Sequence, residues 1–273
     1  MPGGTGVIVD PKVSDIIDIL DSLAPPAMAE EWDNVGLQVG DPGRPVKTVW
    51  VALDPTYPIV KAACRRKVDL LVTHHPLIFK PLQSLNFRTP VGSIIDLAIR
   101  HHLAIFAAHT NLDGAAGGIN DILAGRIGLT DLKSLSAPDQ GSGIGRIGSL
   151  ETELDLKSLA LTIKEKLNLR HLKFAGDPAL SVQKAAVCSG SGSSLMADFF
   201  VSGAQVFISG DMRYHDARDV EALNLGLIDI GHFYSEHLMV DVLAVRLAGI
   251  FADSKMNIAV KACDIEKDPF TVL

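Results

Sequence analysis

Val68-Asp69-Leu70-Leu71-Val72-Thr73-His74-His75-Pro76 is the stretch from which the rest of this chain is read. An apolar run of strand length stops at two adjacent histidines, and Pro76 disfavours helical geometry at His75 and holds it extended. In α/β proteins the ligand crevice lies beyond the carboxyl ends of parallel strands, where a strand followed at once by His-His delivers its imidazoles. The stretch therefore reads as half of a metal site. A second doublet, His101-His102, stands at the amino edge of the following strand. It reads instead as two partly solvated imidazoles near a helix C-terminus, where positive charge is favoured.

Outward from this stretch the pattern alternates. Asp10-Pro11 is read as an N-cap with proline at the first helical position, and Ile16, Ile17, Leu20 and Leu23 recur at helical spacing until Pro25-Pro26. Strands follow over 46–53, 68–72 and 103–107, with helices over 59–66, 91–100 and 116–127. Residues 131–143, rich in Ser, Gly, Asp and Pro, are read as a linker. Beyond them come strands over 145–150, 172–174, 185–188, 206–208, 227–230 and 257–260 and helices over 156–167, 194–201, 214–224 and 233–250. The expected fold class is α/β, with two lobes at 1–130 and 144–273, each a mixed sheet covered by helices, and a dinuclear metal site in the cleft between them. The last part of the second lobe, about 229–273, is expected to return His and Glu ligands to that site. Trp32 is read as an aromatic core plug; Asp54, which follows its strand, offers a face toward the site or a turn before Pro55, and is read as the turn former.

Composition narrows the possibilities. The 273 residues are 47% hydrophobic, enough for one large or two modest cores. A net charge of −7 advertises no basic surface for nucleic acid or anionic membrane. Residues 1–12 lack a charged segment followed by an apolar one, and no apolar run reaches the roughly 18 residues of a bilayer span, so a cytoplasmic protein with no membrane partner is expected. Cys64, Cys188 and Cys263 are odd in number, widely spaced and set among apolar residues, which suits reduced core positions.

Two more strand ends carry chemistry. One runs into His109-Thr110-Asn111-Leu112-Asp113, the other into Gly231-His232-Phe233-Tyr234-Ser235-Glu236-His237. A helix starting near His232 puts His232 and Glu236 on one face, four residues apart, and turns His237 elsewhere. Adjacent residues in extended backbone point in opposite directions, so His74 and His75 are expected to serve two ions rather than chelate one. Paired ions lie about 3.5–4 Å apart and are commonly bridged by a carboxylate, for which Glu236 and Asp113 are both candidates. Imidazole and carboxylate without thiolate suit Zn, Mn, Fe, Co or Ni better than Ca or Mg. Such a centre stays net positive after its carboxylates are counted and favours an anionic substrate. His109 reads as a partner orienting Asp113 or a ligand imidazole. Asp33 and Glu31 offer proton transfer or a polar turn. Ser191, Gly192 and Ser193, between a strand and a helix, offer phosphate binding through backbone amides or a tight turn. His215 with Asp216 offers an acid/base pair or a helix start.

Together, Glu31-Trp32-Asp33-Asn34-Val35-Gly36-Leu37, Thr73-His74-His75-Pro76, His109 to Asp113, Gly145-Arg146-Ile147-Gly148, Ser209-Gly210-Asp211 with His215-Asp216, and Gly231-His232 with Glu236 resemble the NGG-interacting-factor-like family. Its bacterial members are often labelled GTP cyclohydrolase 1 type 2 homologues. The resemblance implies a dinuclear metal centre with ligands at His74, His75, Asp113, His232 and Glu236, the glutamate bridging two divalent ions. It also implies two α/β lobes and a ring-like homohexamer whose metal sites face an inner cavity. Relatives often carry His-His where this chain has Tyr214-His215. The expected function is a metal-dependent hydrolase acting on a nucleotide or other phosphorylated small molecule, with His215, Asp33 or His109 moving protons. The competing expectation is a non-enzymatic metal-binding regulatory or protein-interaction module.

Overall fold

The apolar run ahead of the two histidines forms a strand, and all four residues of Leu70–Thr73 are buried. The computed structural model describes residues 10–136 and 143–272. In chain order its elements begin with α1 (Val13–Leu23), β1 (Gly36–Val39), β2 (Thr48–Ala52), α2 (Tyr57–Arg65), β3 (Leu70–Thr73), α3 (Pro90–Arg100), β4 (Ala104–Ala107), α4 (Thr110–Gly114) and α5 (Ile119–Ile127). They continue with β5 (Leu129–Ser134), β6 (Arg146–Asp155), α6 (Leu156–Lys166), β7 (Lys173–Ala175), β8 (Ser181–Ser191), α7 (Met196–Ser202), β9 (Val206–Gly210), α8 (Tyr214–Ala222), β10 (Gly226–Asp229), α9 (His232–Glu236), α10 (Leu238–Asp253) and β11 (Ala259–Ala262).

The chain divides into two units. The first holds Met1–Leu23 (described from Asp10), Trp32–His109 and Val240–Glu266. Its five-stranded sheet has the order β1-β4-β3-β2-β11, parallel throughout except for β1 against β4. Central parallel strands are covered on both faces, which is why β3 and β4 read as unbroken apolar runs rather than alternating ones. Ile59, Val60 and Ala63 of α2 and Ile94, Ile95 and Ala98 of α3 pack with Trp50, Leu71 and Ile105 of the sheet. Removing one such side chain, as in Leu71→Ala, costs about 2–5 kcal/mol. The register pairs Ala52 with Thr73 and Thr73 with Ala107, so β2, β3 and β4 end level with one another. Asp54, His74, His75 and His109 follow those three ends.

The second unit holds Ala24–Glu31, Thr110–Met239 and Lys267–Leu273 (described to Val272). Its six-stranded sheet has the order β5-β6-β8-β9-β10-β7. Here β8, β9 and β10 are parallel, while β5, β6 and β7 pair antiparallel with their neighbours. Ser191 pairs with Gly210 and Ser209 with Asp229, which brings the carboxyl ends of β8, β9 and β10 to one edge. Gly190, Asp211 and His232 stand there.

Two mixed α/β sheets covered by helices are thus present, but the chain is apportioned differently from a cut at 131–143. The first part of that segment is β5, paired with β6, and residues 137–142 lie outside the described residues. Residues 110–130 belong to the second unit, and the last strand, β11, joins the edge of the first sheet beside β2. A local pattern marks a strand without saying which sheet edge it will join. At the amino end, Asp10 does not cap the first helix: the helix starts at Val13, and Asp15 accepts from the N–H of Lys12 at 2.7 Å. The helix expected over 233–250 is two, α9 and α10. Among the described residues no helix is long and apolar enough to cross a membrane.

Candidate metal centre

In the first unit, the parallel ladder carries on past β3, with the N–H of His74 donating to Ala52 O at 3.2 Å and that of His75 to Leu53 O at 3.0 Å. The chain then bends, pinned by the Thr73 hydroxyl donating to His75 O at 2.8 Å. This bend corrects the expectation that the two imidazoles point apart: their ring centroids are 5.1 Å from each other. His109 joins them, and His74, His75 and His109 each offer a ring nitrogen within 4.8 Å of the others.

Each of these rings is oriented through Nδ1. That of His74, which is fully buried, lies 2.9 Å from Ala108 O. That of His75 lies 2.8 Å from Asp54 Oδ1, and that of His109 2.9 Å from Asp33 Oδ1. A carbonyl and a carboxylate only accept, so each Nδ1 carries a proton, and Nε2 is the ring nitrogen left to a ligand. Asp54 is therefore an orienting partner and not merely the turn former its Asp-Pro context suggested. Its N–H and that of Leu53 donate to the Glu266 carboxylate at 2.8–2.9 Å. Asp33 Oδ1 is bonded to His109 and accepts from the N–H of Asn34 at 2.8 Å, which makes this carboxylate an orienting partner of His109. Trp32 is 57% exposed and corrects its reading as a core plug. His101 and His102 are exposed beyond α3, as expected.

In the second unit, α9 starts at His232 and brings His232 and Glu236 to one face, as their spacing requires. His232 Nδ1 lies 2.8 Å from Asp211 Oδ2, a fourth imidazole oriented in the same way. Its Nε2 lies 3.0 Å from Oε2 of the buried Glu236. A lone pair and a carboxylate at that separation call for a cation, either a second proton on the ring or a metal ion. Two ligand atoms, each about 2.1 Å from one ion, stand about this far apart. Gly190, at φ +64°, makes room for the pair: a Cβ there would meet Glu236 Oε1 at 2.3 Å and His232 Nε2 at 3.4 Å. Asp113, buried on α4, accepts from the Ser189 hydroxyl at 3.2 Å. Burial pushes the Cys188 thiol far up, and the Asp113 and Glu236 carboxylates add to the shift, so it stays protonated and is no thiolate ligand. All three cysteines are buried and free.

The remaining candidates fare less well. Ser193 donates through its hydroxyl to Asp216 Oδ2 at 2.5 Å, so that hydroxyl is engaged by a carboxylate. The side of a Cβ at Gly192 is closed by Ser209 Oγ at 2.4 Å, so this glycine serves close packing. His215 is exposed on the first turn of α8, while Asp216 accepts from the Arg213 N–H at 2.9 Å, which makes the pair a helix start. His237 stacks on Phe233 with centroids 4.6 Å apart. Sequence reading weighed Asp54 as facing the site but set it aside for a turn, and it passed over Asp211 as an orienting group, along with Glu266 and the specific task of Gly190. The signal for the two aspartates was that each stands just past the end of a strand, and Asp211 also lies in the Ser209-Gly210-Asp211 motif.

The donor set fits divalent transition metals: imidazoles with Nδ1 engaged, carboxylates, and no thiolate. His and Glu residues of groups that could hold a metal ion are His74, His75 and His109 in the first unit and His232 and Glu236 in the second.

Comparison with known proteins agrees with this reading of the fold. The profile of Duf34/NIF3 (NGG1p interacting factor 3) matches residues 11–269. A Clostridium acetobutylicum protein named GTP cyclohydrolase 1 type 2 homolog is 32% identical over 262 residues, covering 95% of this chain and 98% of its own. A Clostridium perfringens protein of the same name is 36% identical over 227 residues, covering 82% and 87%. The crystal structure of a Bacillus cereus protein related to NIF3 superposes with a TM-score of 0.90 at 26% identity, covering 97% of this chain and all of that one, 100%.

Proposed function

The chain belongs to the Duf34/NIF3 family, and on that footing we propose that it is a metal-dependent hydrolase acting on a nucleotide or another phosphorylated small molecule. Two divalent ions (Zn, Mn, Fe, Co or Ni) would be held by residues drawn from His74, His75, Asp113, His232 and Glu236. The observation that carries the reading is the common orientation of four imidazoles, with Nδ1 of His74, His75, His109 and His232 each given to an acceptor. Metal-ligating histidines are tied down in this way, and the arrangement leaves Nε2 for the ion.

When bound, the ions supply Lewis-acid polarisation of a substrate oxygen and a water that ionises near neutral pH. The chain does the rest. Asp54 and Asp211 hold their histidines aligned through Nδ1. His109 Nε2 is the group placed to take or give a proton, with Asp33 stabilising the imidazolium that results. A net positive centre selects an anionic substrate. The name carried by the two clostridial relatives supports nucleotide chemistry, and assembly into a homo-oligomer, a hexamer by resemblance, belongs to the same proposal.

The test is elemental analysis of protein purified without chelator, paired with activity on a panel of nucleotides and phosphoesters before and after metal removal. About two metals per chain and a hydrolysis that disappears on stripping and returns on refilling support the reading. Two metals without turnover on any member of the panel replace it with a binding role, and active, folded protein without metal overturns the centre itself.

A further inference from the structure

Trp32 is a large aromatic residue left mostly in solvent beside a cluster of histidines. Phe79, itself 48% exposed, lies next to it with ring centroids 5.7 Å apart and planes tilted by 57°, so neither ring stacks on the other. On its other side Trp32 meets His109 edge-on at 6.1 Å. Both flanks are built. The residue after Trp32, Asp33, is bonded to His109. The next, Asn34, donates through Nδ2 to Ile78 O at 2.6 Å, and Gln38 Oε1 accepts from the Ile78 N–H at 3.2 Å, which fixes the neighbour of Phe79. Gln38 Nε2 returns to Asn34 O at 2.9 Å. The backbone that carries the two rings is fixed through their neighbours, and the indole is flanked by Phe79 and His109, so part of its ordering cost is met before any ligand arrives.

We infer that Trp32, with Phe79, is a platform for a planar heteroaromatic ring of the ligand, such as a purine base, and selects ligands that carry one. The inference deepens the proposed function and rests on it for the phosphorylated part of the ligand. An indole face offers a base stacking without hydrogen-bond readout. Its 6.1 Å distance from His109 leaves the rest of a nucleotide within reach of the histidine cluster.

The experiment is calorimetric titration of the zinc-loaded full chain with GMP, guanosine and ribose 5-phosphate, on wild type, Trp32→Ala and Trp32→Phe. Indole fluorescence gives a second readout, since the other tryptophan, Trp50, is only 1% exposed. GMP and guanosine are expected to weaken about tenfold in Trp32→Ala and much less in Trp32→Phe, and ribose 5-phosphate to be indifferent to both changes. Equal GMP affinity in wild type and Trp32→Ala, or an equal loss for ribose 5-phosphate, overturns the platform. Ribose 5-phosphate bound by wild type together with no effect of Trp32 leaves the proposed function standing and removes only the platform. Guanosine binding that depends on Trp32, without any binding of ribose 5-phosphate, does the reverse. Failure of all three probes to bind wild type overturns both.

Discussion

Asp54 Oδ1 and His75 Nδ1 lie 2.8 Å apart, joining residues that leave the carboxyl ends of two adjacent parallel strands. The same relation recurs between Asp211 and His232, also at 2.8 Å. Each carboxylate sets the tautomer and aim of an imidazole whose other nitrogen is left for a ligand. Asp54→Asn and Asp211→Asn keep the shape and lose the charge. Metal affinity, read by competition with a chromogenic chelator, is expected to fall about 10–100-fold in each. Unchanged affinity in both would show that these pairs do not orient ligands.

Glu266 reaches the same place from near the end of the chain. Glu266→Ala leaves the partly buried N–H groups of Leu53 and Asp54 without that acceptor, a cost of about 1–3 kcal/mol. Urea denaturation should report the loss. Metal affinity should fall with it, because the backbone carrying Asp54 is released, and it should be largely restored in Glu266→Gln.

Gly190→Ala places a methyl group 2.3 Å from Glu236 Oε1 at a backbone φ of +64°. The left-handed conformation alone costs about 1–2 kcal/mol. Glu236 has to move, so bound metal per chain, measured by elemental analysis after dialysis, is expected to drop well below the wild-type value. Wild-type loading in this variant would remove Glu236 from the ligand set.

Arg146 is buried, and its guanidinium is bonded to the Asp121 carboxylate and to the carbonyls of Gly143, Gly145, Gly114 and Ala115. Arg146→Met removes this donor from four carbonyls and from Asp121, which still accepts from the Gly117 N–H, and each buried acceptor left unsatisfied costs about 1–3 kcal/mol. The denaturation midpoint should fall accordingly, and a shift worth under about 1 kcal/mol would count against a structural role for this arginine.

Asp155 caps α6, accepting from the N–H of Ser158 at 2.8 Å and from its hydroxyl at 2.7 Å. The hydrogen bond from the Ser158 backbone, then that from its side chain, holds the Asp155 carboxyl below its usual range. A folded-state value below the unfolded one means that this stabilisation is present above about pH 3.9 and disappears as pH falls through the lowered value. Asp155→Asn should therefore be less stable than wild type at neutral pH, and the gap should close below about pH 4 in parallel thermal melts.

The elements were legible along the chain because their causes are local. Leu70, Leu71 and Val72 with the β-branched Thr73, bounded by His-His-Pro, read as a strand, and i,i+4 spacing puts His232 and Glu236 on one helix face without help from the rest of the fold. The alternation of strands and helices likewise announced two mixed α/β sheets, and the resemblance carried by the His-His and Gly-His motifs announced the family. What only the tertiary structure decided depends on residues far apart in sequence. Strand pairing took β11 to the first sheet beside β2, and with it came Glu266, more than two hundred positions beyond the Leu53 and Asp54 N–H groups it holds. The bend after β3 turned His74 and His75 toward each other, against the opposed directions of an extended chain. Trp32 went to the surface because Asp33 is bonded to His109 and Asn34 to Ile78, partners that no periodicity near residue 32 could reveal. Local preferences are written in neighbouring residues, whereas the aim of a side chain is set by whichever distant backbone or carboxylate the fold brings against it.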